Sequence, residues 1–198
     1  MTQPALLIFA TRYDGMTERT HKAAQRLEAS AGQLGIRIFT LYEGAATGAA
    51  LLEAAARRPA VVAFYSHGDA LGAILAQDRQ PCWTTETIPD LSGIAVFAQA
   101  CRAIRWLRDE AAHHKVRLLV GYATDLVTPA NGSGRFWELY EGVHSLVPYH
   151  LVRGADQVWI RQDFYEFCTS CFDELNSYQA GLIELVAIQQ SRDEIVFA

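Results

Sequence analysis

The chain has 198 residues, 51% of them hydrophobic, and its 17 Lys and Arg residues against 22 Asp and Glu residues give a formal net charge of −5. A chain of this size buries a full core without disulfide bonds, so the composition excludes collagen-like, disordered and small disulfide-rich proteins and predicts a single domain over residues 1–198. The acidic balance also excludes a dedicated nucleic-acid-binding protein, because phosphate contacts need a concentrated Lys and Arg surface.

Short apolar runs alternate with helical patterns along the chain, which is typical of a parallel sheet covered by helices on both faces. We predict strands at Ala5–Ala10, Ile36–Leu41, Ala60–Tyr65, Ile94–Ala98 and Arg117–Tyr122, and helices at Thr17–Ala31, Thr47–Arg57 and Ala103–His113. The alternation predicts an α/β fold, namely a three-layer αβα sandwich with a mainly parallel sheet.

The segments between and after these elements have other patterns. A small hairpin is expected within residues 74–84, followed by a short helical turn at Thr87–Leu91. Ser133 follows a loop rich in small residues and is expected to cap a helix. The stretch Phe164–Gln190 is expected to be mostly helical, with a last strand at Val158–Ile160.

Two of the predicted strands end in residues that can carry out chemistry. The third strand runs into His67 and Gly68, and the fourth runs into Cys101. In an open parallel sheet, ligands bind at the carboxyl ends of the strands, and neighbouring strands lie about 4.8 Å apart. An imidazole can activate a thiol and then protonate a leaving amine. The sequence therefore predicts His67 as a base and Cys101 as a nucleophile.

The backbone around these residues adds two further expectations. Cys101 precedes the predicted helix Ala103–His113, whose first turn offers a positive potential to a thiolate. Gly68 allows its N–H group to approach a substrate carbonyl closely, so the N–H groups of Gly68 and Cys101 are expected to form an oxyanion hole.

The residues around the cysteine resemble a known family. Gln99, Ala100, Cys101 and Arg102 match the first four residues of the caspase signature, with Ala103 in place of the usual Gly. His67 precedes Cys101 by 34 positions, which is shorter than the caspase interval of about 50. From Ala60 to about Tyr122, hairpin included, the chain resembles the caspase-like cysteine peptidases, which include caspases, metacaspases, separases and the compact bacterial CHAT proteins.

The resemblance implies a caspase-like fold and a cysteine endopeptidase that cleaves a protein or peptide substrate. His67 and Cys101 would form the catalytic dyad, with Gly68 in the oxyanion hole and with no metal or organic cofactor. The resemblance also implies a role in bacterial defence or regulated cell death, with an activating or regulatory protein partner.

The resemblance further implies where substrate selectivity lies. Gln99 and Arg12 would line the pocket for the side chain that precedes the scissile bond, and this pair would favour an acidic side chain. Many bacterial relatives prefer a basic side chain instead and use a carboxylate, for which Asp14 and Asp125 are candidates. The sequence leaves the preferred charge open.

The cellular setting follows from what the sequence lacks. Neither a basic N-terminal stretch nor an apolar run of membrane length is present, so no signal peptide and no membrane association are expected. We therefore expect a cytoplasmic protein with free thiols. Cys168 and Cys171 lie three positions apart, and as a lone pair they favour core packing over a zinc or redox site.

Two other classes of function fit parts of the sequence. The segment from Thr11 to Thr17 follows the first strand and looks like the phosphate loop of a flavodoxin-like FMN-binding protein, although its spacing is one residue too long. A catalytically inactive caspase-like adaptor would use the same fold only for binding, with Phe164–Gln190 as its partner helix.

Overall fold

A mainly parallel sheet flanked by helices organises this α/β protein. The structure, a computed structural model, describes residues 5–84, 91–113 and 115–198, without the side chains of residues 106 and 110. The strands are β1 (Ala5–Ala10), β2 (Arg37–Tyr42), β3 (Val61–Tyr65), β4 (Ile74–Leu75), β5 (Pro81–Trp83), β6 (Ala95–Gln99), β7 (Leu118–Tyr122) and β8 (Ile195–Phe197). The α-helices are α1 (Gly15–Gln33), α2 (Gly48–Ala55), α3 (Ala103–His113), α4 (Gly134–Val152), α5 (Gln157–Ser177) and α6 (Leu182–Asp193).

The strand order of the six-stranded sheet is β2-β1-β3-β6-β7-β8. The first five strands of this order run parallel, and β8 pairs antiparallel with β7. The short strands β4 and β5 form a separate antiparallel hairpin, as the sequence predicts. From β1 the chain adds β2 on one side, and it then adds β3 and the later strands on the other side. The boundary between β1 and β3 is therefore a topological switch point. Open α/β sheets bind ligands at such a point, outside the carboxyl ends of the strands.

Helices cover both faces of the sheet, which confirms the prediction drawn from the unbroken apolar runs. Leu6, Ile8 and Phe97 belong to the core on the side of α1, α4, α5 and α6. Leu7 and Phe64 belong to the core on the side of α2, α3 and the hairpin. Successive strand residues point to opposite faces, so each apolar run contributes to both cores.

Side-chain caps fix the starts of several helices. Thr47 and Ser133 are the N-caps of α2 and α4, and their hydroxyls accept the N–H groups of Ala50 and Phe136. The Ser133 cap agrees with the prediction from the sequence, and such a cap stabilises a helix by about 1 kcal/mol.

The predicted last strand at Val158–Ile160 is wrong, because these residues lie in α5. Asp156 is the N-cap of this helix, and its carboxylate accepts the N–H groups of Val158 and Trp159. The strand that completes the sheet is β8, where the backbones of Leu119 and Ala198 exchange two hydrogen bonds of 2.8 Å. The predicted helical turn at residues 87–91 falls mostly on residues 85–90, outside the described part of the chain.

Within the described residues, we find no helix with the length and apolar character needed to cross a membrane.

Candidate active site at the carboxyl edge of the sheet

Three segments that leave the sheet at its carboxyl edge bring reactive side chains together. Asp14 follows β1, His67 and Gly68 follow β3, and Cys101 follows β6. The strands β1, β3 and β6 are consecutive neighbours in the sheet, so the residues that follow them share one edge. This edge includes the switch point between β1 and β3, where open α/β sheets bind their ligands.

The backbone of Gly68 lies directly against the backbone of Cys101. A Cβ atom added to Gly68 would stand 1.9 Å from the carbonyl oxygen of Cys101 and 3.3 Å from its nitrogen, so no other residue fits here without a rearrangement. Within the described part of the chain, the N–H groups of Gly68 and Cys101 donate to no backbone carbonyl. Two N–H groups are thus available at the point where the ends of β3 and β6 meet.

The His67 ring is held by a carboxylate from the neighbouring strand end. Its Nε2 lies 2.9 Å from Oδ2 of Asp14, and the Tyr13 ring lies beside it with a centroid distance of 5.6 Å. The side chain of His67 is 31% exposed, which leaves the ring accessible from solvent. The sequence predicts the position of His67 at this edge, but it does not predict the contact with Asp14.

The Cys101 thiol is half-buried and accepts a hydrogen bond from the loop after β7. Its Sγ lies 3.3 Å from the N–H nitrogen of Leu126. Burial raises the pKa of the Cys101 thiol above its ordinary value, and the Leu126 N–H group only partly opposes this effect. This direction is opposite to the one expected from the position of Cys101 before α3, because burial penalises the charged form of the thiol. Among the described residues, no hydrogen bond joins the His67 ring to this thiol.

A set of polar contacts fixes the loop that carries Leu126. Arg102 adopts a left-handed backbone conformation with φ of 61°, and its N–H group donates to the carbonyl of Thr124 at 3.1 Å. The Arg102 guanidinium pairs with Asp125. From α6, the Gln190 amide donates to the carbonyl of Asp125 and accepts the N–H group of Val127, both at 2.6 Å. The position of Asp125 is thus explained by its ion pair with Arg102.

Gln99 and Arg12, the residues expected to line one selectivity pocket, lie in different surroundings. Gln99 is 1% exposed, and its amide atoms have no hydrogen-bond partner among the described residues. It pairs in register with Tyr65, whose side chain faces the α4 side of the sheet, so the pleat directs Gln99 under that helix. Arg12 instead lies 3.5 Å from Glu18 and 3.2 Å from Glu43.

A cavity of about 380 Å³ lies between the start of α1 and the loop before α4, and both Glu18 and Arg19 line it. Its wall includes Gly15, which follows Asp14, and Thr128, which lies two residues beyond Leu126. The Arg19 guanidinium lies over the Trp137 ring at 4.3 Å and, within the described part of the chain, makes no hydrogen bond or ion pair. Arg19 therefore offers unused N–H donors to an anionic group in this cavity.

The loop after β1 does not fit the flavodoxin-like prediction. The N–H groups of Tyr13 and Asp14 donate to the Thr17 hydroxyl, and the Thr11 hydroxyl donates to that of Ser66. The Asp14 carboxylate itself occupies the start of α1 by accepting the Thr17 N–H group at 2.9 Å. A phosphate at this helix end would lose its donors and meet a negative charge.

The other thiols have no place in the site. Cys82, Cys168 and Cys171 are buried, whereas Cys101 is only half-buried. The buried position of Cys168 and Cys171 on α5 agrees with the predicted core packing. Among the described residues, no group of His, Cys, Asp and Glu side chains is arranged to hold a metal ion.

Three contributors to the site were missed at the sequence level, namely the Asp14 contact with His67, the Leu126 N–H group and the Arg19 cavity. Asp14 stands three positions before Thr17, which is a helix-cap signature that the sequence does display. Its contact with His67 depends on β1 being the neighbour of β3, and the contacts of Leu126 and Arg19 likewise depend on tertiary packing.

A search against models of protein families and a search of curated proteins found no match to this chain.

Proposed function

We propose that this protein is a caspase-like cysteine endopeptidase in which His67 is the general base and Cys101 is the nucleophile. The observation that carries the proposal is the contact between the Gly68 and Cys101 backbones. This contact joins the strand end that bears a solvent-accessible imidazole to the strand end that bears the one cysteine that is not buried. The two unused N–H groups at the same point supply the donors that acyl transfer needs.

In the acylation step, His67 takes the proton from the Cys101 thiol while Sγ attacks the carbonyl carbon of the scissile peptide bond. The carbonyl oxygen becomes an oxyanion and accepts hydrogen bonds from the N–H groups of Gly68 and Cys101. The tetrahedral intermediate then breaks the C–N bond. His67 gives its proton to the departing amine, and a thioester remains on Cys101.

In the deacylation step, His67 accepts a proton from a water molecule as the water oxygen attacks the thioester carbonyl. The C–S bond breaks, the carboxylic acid product leaves, and the proton held by His67 returns to the sulfur. The cycle consumes one water molecule for each peptide bond and needs no redox partner.

The raised pKa of Cys101 favours base catalysis over a preformed thiolate and imidazolium pair. Burial keeps the sulfur protonated in the free protein, so the proton has to move during the attack. Catalytic hydrogen bonds in ligand-free enzymes are often long and form only with substrate bound, which accommodates the absence of a direct bond between His67 and Cys101.

The cavity between α1 and the loop before α4 suggests the class of substrate. The Arg19 guanidinium lies within it, with apolar walls that include Met16 and Pro129. A substrate segment with an acidic side chain would find a charged partner and apolar contacts there, because the Glu18 carboxylate that also lines the cavity is paired with Arg12. This assigns to Arg19 the role that the sequence suggests for Arg12.

Peptide hydrolysis measured on a library of quenched fluorescent peptides tests the proposal. We expect the native protein to cleave a subset of peptides, and Cys101→Ala and His67→Ala each to lower kcat/KM by about 1,000-fold or more. Cys82→Ala serves as the matched control and should stay within about two-fold of the native value, because Cys82 is buried and packs against Gly48 of α2. Mass spectrometry of the native protein mixed with a cleaved peptide should detect the acyl adduct on Cys101.

Alkylation of Cys101 alone does not discriminate among the candidate functions, since the other three cysteines are buried in any case. Cleavage that survives Cys101→Ala would show that another group is the nucleophile. If the native protein cleaves no peptide, the inactive adaptor is the better description.

A further inference from the structure

The two carboxylate oxygens of Asp14 have separate tasks. Oδ1 accepts the Thr17 N–H group at 2.9 Å and lies 3.0 Å from the Thr17 hydroxyl, which caps α1. Oδ2 lies 2.9 Å from Nε2 of His67. The Thr17 hydroxyl also accepts the N–H group of Asp14 at 3.0 Å, so the residue is held from both its backbone and its side chain.

This arrangement fixes the ring nitrogen that can act as a base. An ionised carboxylate only accepts hydrogen bonds, so the contact with Oδ2 requires a hydrogen on Nε2 of His67. In a neutral imidazole the other nitrogen, Nδ1, then carries the lone pair. Among the described residues, Nδ1 of His67 has no hydrogen-bond partner, so it remains available to take a proton.

We propose that Asp14 is a positioning residue that holds His67 in the tautomer with its hydrogen on Nε2, so that Nδ1 receives the proton of Cys101. This inference rests on the proposed function for its catalytic consequence. The carboxylate also stabilises the imidazolium that forms when the proton moves, because an opposite charge then lies 2.9 Å away.

The surroundings of the pair keep the carboxylate charged. Burial alone would raise the pKa of Asp14, but the hydrogen bonds from the Thr17 N–H group and from His67 lower it below its ordinary value. Two other groups face the pair of Asp14 and His67. The Tyr13 ring lies beside His67, and the Arg79 guanidinium lies over the Tyr13 ring at 4.9 Å. No second carboxylate is found against the His67 ring among the described residues.

The variant Asp14→Asn tests this role, because Asn caps helices about as well as Asp but carries no charge. The matched control is Asp156→Asn, since Asp156 caps α5 in the same way and does not contact the site. We expect Asp14→Asn to lower kcat by about 100-fold or more while KM stays within about two-fold. Asp156→Asn should leave both constants within about two-fold, and both variants should retain the helical content of the native protein.

A second readout is independent of activity. Nitrogen-15 NMR of the histidine rings, assigned with His67→Gln, should report hydrogen on Nε2 of His67 in the native protein near pH 8. In Asp14→Ala the same ring should become a mixture of both tautomers.

The outcomes separate this inference from the proposed function. A native His67 ring with its hydrogen on Nδ1 overturns the inference whether or not peptides are cleaved. Equal kcat values for Asp14→Asn and Asp156→Asn in an active enzyme also overturn it. If the native protein cleaves nothing but the tautomer results hold, the proposed function fails, and the role of Asp14 in orienting His67 stands.

Discussion

The carbonyl oxygen of Cys101 occupies the space that a side chain on residue 68 would need. An added Cβ would stand 1.9 Å from that oxygen, far inside van der Waals contact. Gly68 is therefore required by the packing of two strand ends, in addition to any role of its N–H group in catalysis.

Gly68→Ala should destabilise the fold and separate His67 from Cys101. We expect the free energy of unfolding in urea to fall by about 1–3 kcal/mol, because the backbone has to shift to accept the methyl group. Gly134→Ala is the control, since a Cβ on this first residue of α4 meets nothing within 4 Å. It should be neutral or stabilising by about 0.4–1 kcal/mol. Equal unfolding energies for the two variants would contradict the close contact.

Arg19→Ala should weaken the cleavage of acidic substrates. The test compares peptides with Asp or Asn at each of the four positions before the scissile bond. At the position that enters the cavity, we expect kcat/KM for the Asp peptide to fall about ten-fold, because one charge-assisted hydrogen bond is lost, and that for the Asn peptide to change little.

Arg57→Ala is the matched control for this selectivity, because Arg57 pairs with Glu53 and does not line the cavity, whereas Arg12 pairs with Glu18, which does. It should leave the ratio of the Asp to the Asn peptide within about two-fold. If the preference for the Asp peptide over the Asn peptide is lost in Arg12→Ala and kept in Arg19→Ala, the pocket of Arg12 and Gln99 implied by the resemblance is the better description.

Gln190→Ala should release the loop that covers Cys101. The variant leaves the N–H group of Val127 and the carbonyl of Asp125 without their partner, at a cost of about 1–3 kcal/mol. Because the loop also donates the Leu126 N–H group to Sγ, we expect iodoacetamide to alkylate Cys101 several-fold faster, measured by intact mass. Gln189→Ala, at the exposed neighbouring position, should alkylate at the native rate. If Cys101 is alkylated at the same rate in Gln190→Ala and in Gln189→Ala, Gln190 does not hold the loop over Cys101.

His144 should make the fold sensitive to mild acid. It is fully buried on α4, with the Tyr122 hydroxyl 3.2 Å from Nδ1 and the Ser191 hydroxyl 3.4 Å from Nε2. Burial lowers the pKa of His144 to about 3. The unfolded chain binds a proton at this position below about pH 6.5 and the folded chain does not, so stability present above pH 6.5 is lost as the pH falls towards 3.

Urea unfolding at two pH values measures this effect. Between pH 7 and pH 5, the native protein should lose about 2 kcal/mol more than His144→Gln. His21 and His150, whose pKa values burial also lowers, remain in both proteins, so the difference reports His144 alone. If both proteins lose the same unfolding free energy between pH 7 and pH 5, the buried His144 ring accepts a proton in the folded state without cost.

The core strands were predictable because burial on both faces leaves an unbroken apolar run. The structure gives β1 the predicted bounds, Ala5–Ala10, and α3 also begins and ends as predicted. A strand was predicted at Val158–Ile160 because valine, isoleucine and tryptophan favour strands. These residues are helical because Asp156 caps α5 and the buried face of the helix continues from Ile160. The three-residue strand β8 was missed because its pairing with β7 is long-range.

The site was predictable only as far as strand ends could be located. His67, Gly68 and Cys101 follow predicted strands, so their common edge could be inferred. The face of the sheet to which the Gln99 side chain points could be inferred, because side chains alternate along β6 and Ala95 and Phe97 face the α4 side. The partners of Arg12 and Arg19 could not be inferred, because Glu43 follows β2 and Trp137 lies on α4, and both contacts depend on tertiary packing.

The half-exposed guanidinium of Arg19 and the uncharged donors at Gly68 and Cys101 respond differently to dissolved electrolyte. Mobile ions weaken the attraction between a guanidinium and an incoming carboxylate over a distance of about 8–10 Å. They have little access to an oxyanion held at contact distance by backbone dipoles. With this arrangement, KM should rise with ionic strength while kcat stays constant. A salt titration would therefore separate substrate recognition from bond breaking.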